Sequence, residues 1–181
     1  MSGHNKWSQI KHKKGITDAK KSKIFSKLVR FITVEAKLAK GNADAPGLRA
    51  AVLKAREANM PQDNIERAIK KAAEPSAQME NVTYEAYGPG GVGLIIETLT
   101  DNRNRTAQEV KHILSDNEAS LAGIGAVTWA FSSKGGSSSG GKNLVPTTTI
   151  PLSDEDLHKL EKLVDELEEL DDVQEVYTNA E

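Results

Sequence analysis

The side chains of this sequence best placed to do chemistry are cations, and the chemistry they suit is neutralising phosphate. Lys20, Lys23, Lys27, Arg30 and Lys37 fall together on a helical wheel, roughly opposite an apolar stripe centred near Leu28. Ahead of them come His4, Lys6, Lys11, His12, Lys13 and Lys14. A flexible basic arm leading into a cationic helix face could track a nucleic-acid backbone, although the same residues also read as an ordinary solvated lysine face. Trp7, inside the arm, could stack on a base or staple the arm to the helices behind it.

A second candidate is TDNRNR, Thr100 to Arg105, between a strand end and a helix start. Amide donors and the guanidinium groups of Arg103 and Arg105 could hold an anion there. Alternatively Asp101 and Asn102 build the turn while Thr106 caps the helix. YGPGGVG, Tyr87 to Gly93, lacks the spacing of a dinucleotide or phosphate loop and reads as a tight turn. His4, His12, His112 and His158 are scattered, with no nucleophile–base pair or metal spacing in view. The expectation is a protein that is not an enzyme and has no metal, cofactor or small-molecule substrate.

The elements that must position these residues follow from composition and periodicity. A chain of 181 residues with 38% hydrophobic content can bury a modest core, and zero cysteines exclude disulfides and thiolate sites. No apolar leader or spanning run is visible, so a soluble cytoplasmic protein without membrane contact is expected. The net charge of -2 conceals a strong polarity. Met1 to Ala72 holds seventeen Lys/Arg against six Asp/Glu, whereas Leu152 to Glu181 holds two against twelve.

Apolar spacing predicts helices over Thr17 to Ala39, Leu48 to Ala58 and Gln62 to Ala73, the last with Pro61 in its first turn. Residues 1–75 therefore read as a basic helical domain. From residue 82 the period becomes strand-like: Val82 to Tyr87, Val92 to Thr98, Gly125 to Phe131, Leu144 to Ile150 and Val173 to Thr178. Thr106 with Glu109, and Ser153 with Asp156, resemble capping boxes for two intervening helices. The second of these helices carries Leu157, Leu160, Val164 and Leu167 as a buried stripe, leaving its carboxylates as a solvated face or a protein-docking surface. The predicted class is α+β: a three-helix domain followed, over 82–181, by a ferredoxin-like sandwich with Val82 to Tyr87 as an added edge strand. Gly125 to Phe131 should pair antiparallel with Leu144 to Ile150, covering Val127, Trp129 and Val145. GGSSSGG, residues 135–141, has the composition of an engineered linker replacing an excised insertion, against a natural glycine-serine hairpin loop.

Several strings then carry a resemblance: MSGHNKW with IKHKK, DAKKSKIFSKL, ANMPQDNIERAIKKA, YEAYGPGGVGLIIE, TLTDNRNRTAQEVKH and LDDVQEVYTN. In this order they resemble the YebC/PmpR family, over both ends and nearly everything up to Lys134. The resemblance implies an amino-terminal helical domain and two α/β domains, one inserted in the other where GGSSSGG now stands. Near Ile124 the family more often bears an acidic residue, so any role of that acid is not carried over. Family members are described as probable DNA-binding transcriptional regulators, mitochondrial relatives as translational activators, and bacterial members as linked to ribosomes and proline-rich stalling. The implied partners are DNA, or ribosomal or transfer RNA and the ribosome. No helix-turn-helix or zinc finger is legible, which favours backbone-dominated contact with structured RNA. A scaffold that binds proteins through its acidic end is the alternative of a different class.

Overall fold

The structure, a computed structural model, describes residues 6–13, 17–74, 78–133 and 143–181. These residues divide into a helical unit and an α/β unit.

In the helical unit, Thr17 caps α2 (Asp18–Ala39), its side chain accepting from the Lys20 N–H at 3.3 Å. Helix α2 stops where Lys40 turns left-handed, φ 47°, and Gly41 follows at φ 86°. Pro46 opens α3 (Pro46–Glu57), where its missing N–H costs nothing, and Pro61 precedes α4 (Gln62–Lys71). Ile32, Ala51, Ala55, Ile65 and Ala68 are buried between them. The Thr33 hydroxyl donates to the Ala68 carbonyl at 3.2 Å, tying α2 to α4. The core face of α2 also takes in Phe31 and, unexpectedly, Glu35, while Ile24 from the predicted stripe is 39% exposed.

The α/β unit contains α1 (Lys6–Lys13), where an arm of the helical domain was expected. Trp7 supplies the reason, since it packs on the α/β core. That core lies under a four-stranded antiparallel sheet of order β3-β1-β2-β6, built from β1 (Glu80–Tyr87), β2 (Gly93–Thr100), β3 (Ser120–Ala122) and β6 (Val173–Thr178). Strands β1 and β2 form a hairpin whose turn needs positive φ at Gly90 and Gly91; a Cβ on Gly90 would strike Leu152. Leu94 and Ile96 of β2 face α5 (Arg103–Asp116) and α6 (Asp154–Glu169), joining Val110, Leu114, Leu160 and Leu163. Ile95 lies in a second cluster with Val127, Ala130 and Phe131. Strand β2 is thus covered on both sides, which explains its three consecutive apolar residues Leu94, Ile95 and Ile96.

The α+β class holds, with three departures in detail. The Val82 to Tyr87 strand is not at the edge, because β3, unread in the sequence, pairs outside it. Gly125 to Phe131 is mostly a loop, since the Glu85 carboxylate takes the amides of Gly125, Val127 and Thr128 that a strand would give a neighbour. Only β4 (Phe131–Ser133) and β5 (Leu144–Pro146) remain extended there. They do pair antiparallel, Phe131 opposite Pro146, but as a separate two-stranded sheet. Val127 is buried as expected, whereas Trp129 is not covered by this pairing and stands 69% exposed. The glycine-serine linker lies outside the described residues.

Candidate nucleic-acid interface

Helix α2 carries Lys20, Lys23, Lys27 and Arg30 at spacings of three, four and three, all half-buried and none without a partner. Its last turn brings Lys37 to a groove of about 630 Å³ on the helical unit. Lys40, Arg49 and Arg56 also line that groove, over a floor that includes Val52 and Ile69. These three cations escaped the sequence reading because Lys40 ends α2 while Arg49 and Arg56 lie on α3, and only folding gathers them.

The arm residues sit elsewhere. Lys6 and Lys11 are exposed on α1 with the α/β unit, and Trp7 is half-buried against its core, which favours a stapling role over stacking but onto a different partner than the helices behind it. The Lys6 ammonium donates to Asp154 Oδ1 at 2.8 Å; the hydrogen bond and charge of Lys6 hold the Asp154 carboxyl below its ordinary range. The side chains of His12 and Lys13, together with His4 and Lys14, lie outside the described residues.

At the start of α5 the cap is Asn102, whose Oδ1 accepts the Arg105 N–H at 3.1 Å. The helix is therefore capped four residues before the expected Thr106. Thr106 is buried instead, its hydroxyl 2.7 Å from Asp172 Oδ2 and 2.8 Å from the Thr100 hydroxyl. The Arg105 guanidinium donates to the same Asp172 oxygen at 2.7 Å and to Asp101 at 3.0 Å. Burial pushes the Asp172 carboxyl up, but the bonds from Arg105, Thr106 and Thr100 outweigh it and hold the group below its ordinary range. Arg105 thus anchors the loop before β6 to the start of α5, and its charge is spent on two carboxylates. Arg103, at the first helical position, remains exposed. Ser153 does cap α6, accepting from the Asp156 N–H at 3.1 Å and donating to the Asp156 carboxylate at 2.8 Å.

Among the described residues no three His, Cys, Asp or Glu side chains group as a metal site needs, and no helix is long and apolar enough to cross a membrane.

Fold and site together define an α+β protein whose amino-terminal helices carry most of its cations. Residues 5–75 match the TACO1/YebC protein N-terminal domain, and residues 79–142 and 137–180 match the TACO1/YebC second and third domain; the chain belongs to this family. A "Probable transcriptional regulatory protein" of Fervidobacterium nodosum is 58% identical over 138 residues, 75% of this chain and 55% of that one. A protein of the same name from Pseudothermotoga lettingae is 38% identical over 238 positions, covering 100% of this chain and 94% of its own. An alignment that long over 181 residues means the Pseudothermotoga protein carries internal sequence that this chain lacks. The crystal structure of a conserved hypothetical protein from Aquifex aeolicus superposes with a TM-score of 0.80 at 34% identity, covering 97% of this chain and 96% of that one.

Proposed function

We propose that this chain is a non-enzymatic regulator of gene expression that acts in the cytoplasm by gripping nucleic-acid backbone, with ribosomal or transfer RNA its main target and peptide synthesis, including stalled or proline-rich synthesis, the process it influences. The observation that carries this reading is the charge polarity: seventeen Lys/Arg against six Asp/Glu up to Ala72. Lys20, Lys23, Lys27 and Arg30 along α2, the cations at the groove and Arg103 on α5 are its contacts, with Lys6, Lys11, Lys13 and Lys14 adding the amino-terminal charge. Arg105, whose guanidinium donates to Asp172 and Asp101, supports the position of α5 and offers its exposed edge as a further contact. Backbone contacts position a nucleic acid and carry little base information, so RNA shape is the better target than an operator sequence. A second reading, a DNA-binding transcriptional regulator, is supported by the relatives, which are named probable transcriptional regulatory proteins. The Gly/Ser stretch stands in place of an inserted domain, an arrangement supported by the internal sequence missing relative to Pseudothermotoga.

The test is a variant with Lys13, Lys14, Lys20 and Lys27 changed to Ala, measured by fluorescence anisotropy on structured RNA and duplex DNA. Affinity should fall roughly tenfold or more for every sequence alike, with an unchanged melting temperature. Full affinity in that variant overturns the assignment of the interface to the amino-terminal residues.

A further inference from the structure

Glu85, on β1, points its carboxylate at the loop that follows β3. Oε1 accepts the Gly125 N–H at 2.6 Å, and Oε2 accepts those of Val127 and Thr128 at 2.7 and 3.1 Å. Gly125, at φ 86°, provides the backbone conformation that lets the amides converge. Three charge-assisted bonds to one carboxylate hold this loop firmly.

What the stapled loop presents is apolar. Ile124 is fully exposed, and Trp129 is 69% exposed. Trp129 and the 43% exposed Tyr87 share the Ala126 carbonyl as acceptor, so they form an exposed aromatic patch and not a lone exposed side chain, and such a patch marks an interaction surface. The ring is also fixed in place: Trp129 Nε1–H donates to the Ala126 carbonyl at 2.9 Å, and the Tyr87 hydroxyl donates to the same oxygen at 3.3 Å. Both aromatics are thus tethered by a polar edge, so a ligand meeting their faces finds them already oriented. From Ala119 to Ser133 the chain has no Asp or Glu, although the segment after Leu152 is crowded with them. Within that segment a phosphate chain meets no carboxylate, and the Glu85 oxygens that reach the segment are already engaged.

We infer that Trp129, with Tyr87 beside it, is a stacking platform for an unpaired nucleobase. The inference rests on the nucleic-acid binding proposed above and deepens it, adding a base contact on the α/β unit to the phosphate contacts already named. Bases within a duplex keep their faces stacked on one another, so such a platform favours loops, bulges and single strands.

The chain has two tryptophans, so Trp7→Phe leaves Trp129 as the sole indole. That variant, its fold verified by its melting curve, is titrated with a short single-stranded RNA and with the same RNA annealed to its complement. The platform predicts quenching of Trp129 emission and protection from acrylamide by the single strand, at the concentrations where anisotropy reports binding. Independently, Trp129→Ala in the otherwise intact chain should weaken single-strand binding roughly tenfold and leave duplex binding unchanged. Binding by anisotropy with no change at Trp129 overturns the platform while the phosphate-binding reading stands. Absence of binding to either RNA overturns both. Acrylamide protection that grows with protein concentration alone assigns the face to a second copy of the chain and overturns the platform.

Discussion

Glu35 lies on the buried side of α2 at 3% exposure, and its Oε1 has no hydrogen-bond partner among the described residues. Burial pushes its carboxyl above the ordinary value. A group whose folded pKa is raised favours the folded state fully below the unfolded pKa, about 4.3, and that contribution is lost as pH rises through the folded value. Glu35→Gln removes the charge but keeps the shape, so the variant should be more stable than the native chain near pH 7 by about 1 kcal/mol, with the difference vanishing near pH 4. Urea unfolding of both proteins across that range checks it; a difference independent of pH would contradict the assignment. Nothing in the sequence marked Glu35, because an apolar stripe is read by counting apolar residues and one acid inside it is taken for the solvent side. Arg105 was legible as a cation but not as an anchor, since Asp172 lies 67 residues away along the chain.

At the scale of elements, the helices were the legible part. The Thr17 start, the end at Ala39, Pro61 ahead of α4 and the Ser153 cap are local signals, and local structure follows them, although α3 begins at Pro46, two residues before the expected Leu48. The sheet was harder, because strand identity depends on partners far off in sequence. Val92 to Thr98 was recognisable as an apolar run, yet the interior place of β1 depends on three residues, Ser120 to Ala122, too few to show a period. The loop after β3 depends on Glu85, forty residues from Gly125. Burial raises the Glu85 carboxyl, but its bonds to Thr128, Val127 and Gly125 prevail and hold it below its ordinary range. Its contribution is therefore present above the unfolded pKa and is lost as pH falls through the folded value. Glu85→Ala should cost about 2 kcal/mol at neutral pH and speed hydrogen exchange at the amides of Gly125, Val127 and Thr128, leaving α2 to α4 unchanged. Unaltered exchange at those three amides would show that the carboxylate does not hold the loop.

For the whole molecule, charge polarity was readable directly, since the positive balance up to Ala72 and the acidic balance after Leu152 need only counting. Which cations meet was not readable. Lys37 joins Lys40, Arg49 and Arg56 at the groove through folding, while Lys6 and Lys11 go with the α/β unit. The central claim is that nucleic acid is held through its phosphates, and the dependence of affinity on salt tests it most directly. With about five phosphates neutralised, the plot of log K against log salt should have a slope of roughly -4.5 on duplex DNA and about -3.5 on a single strand. A flat response across the same salt range would contradict the account, because binding without counterion release is not binding to the backbone.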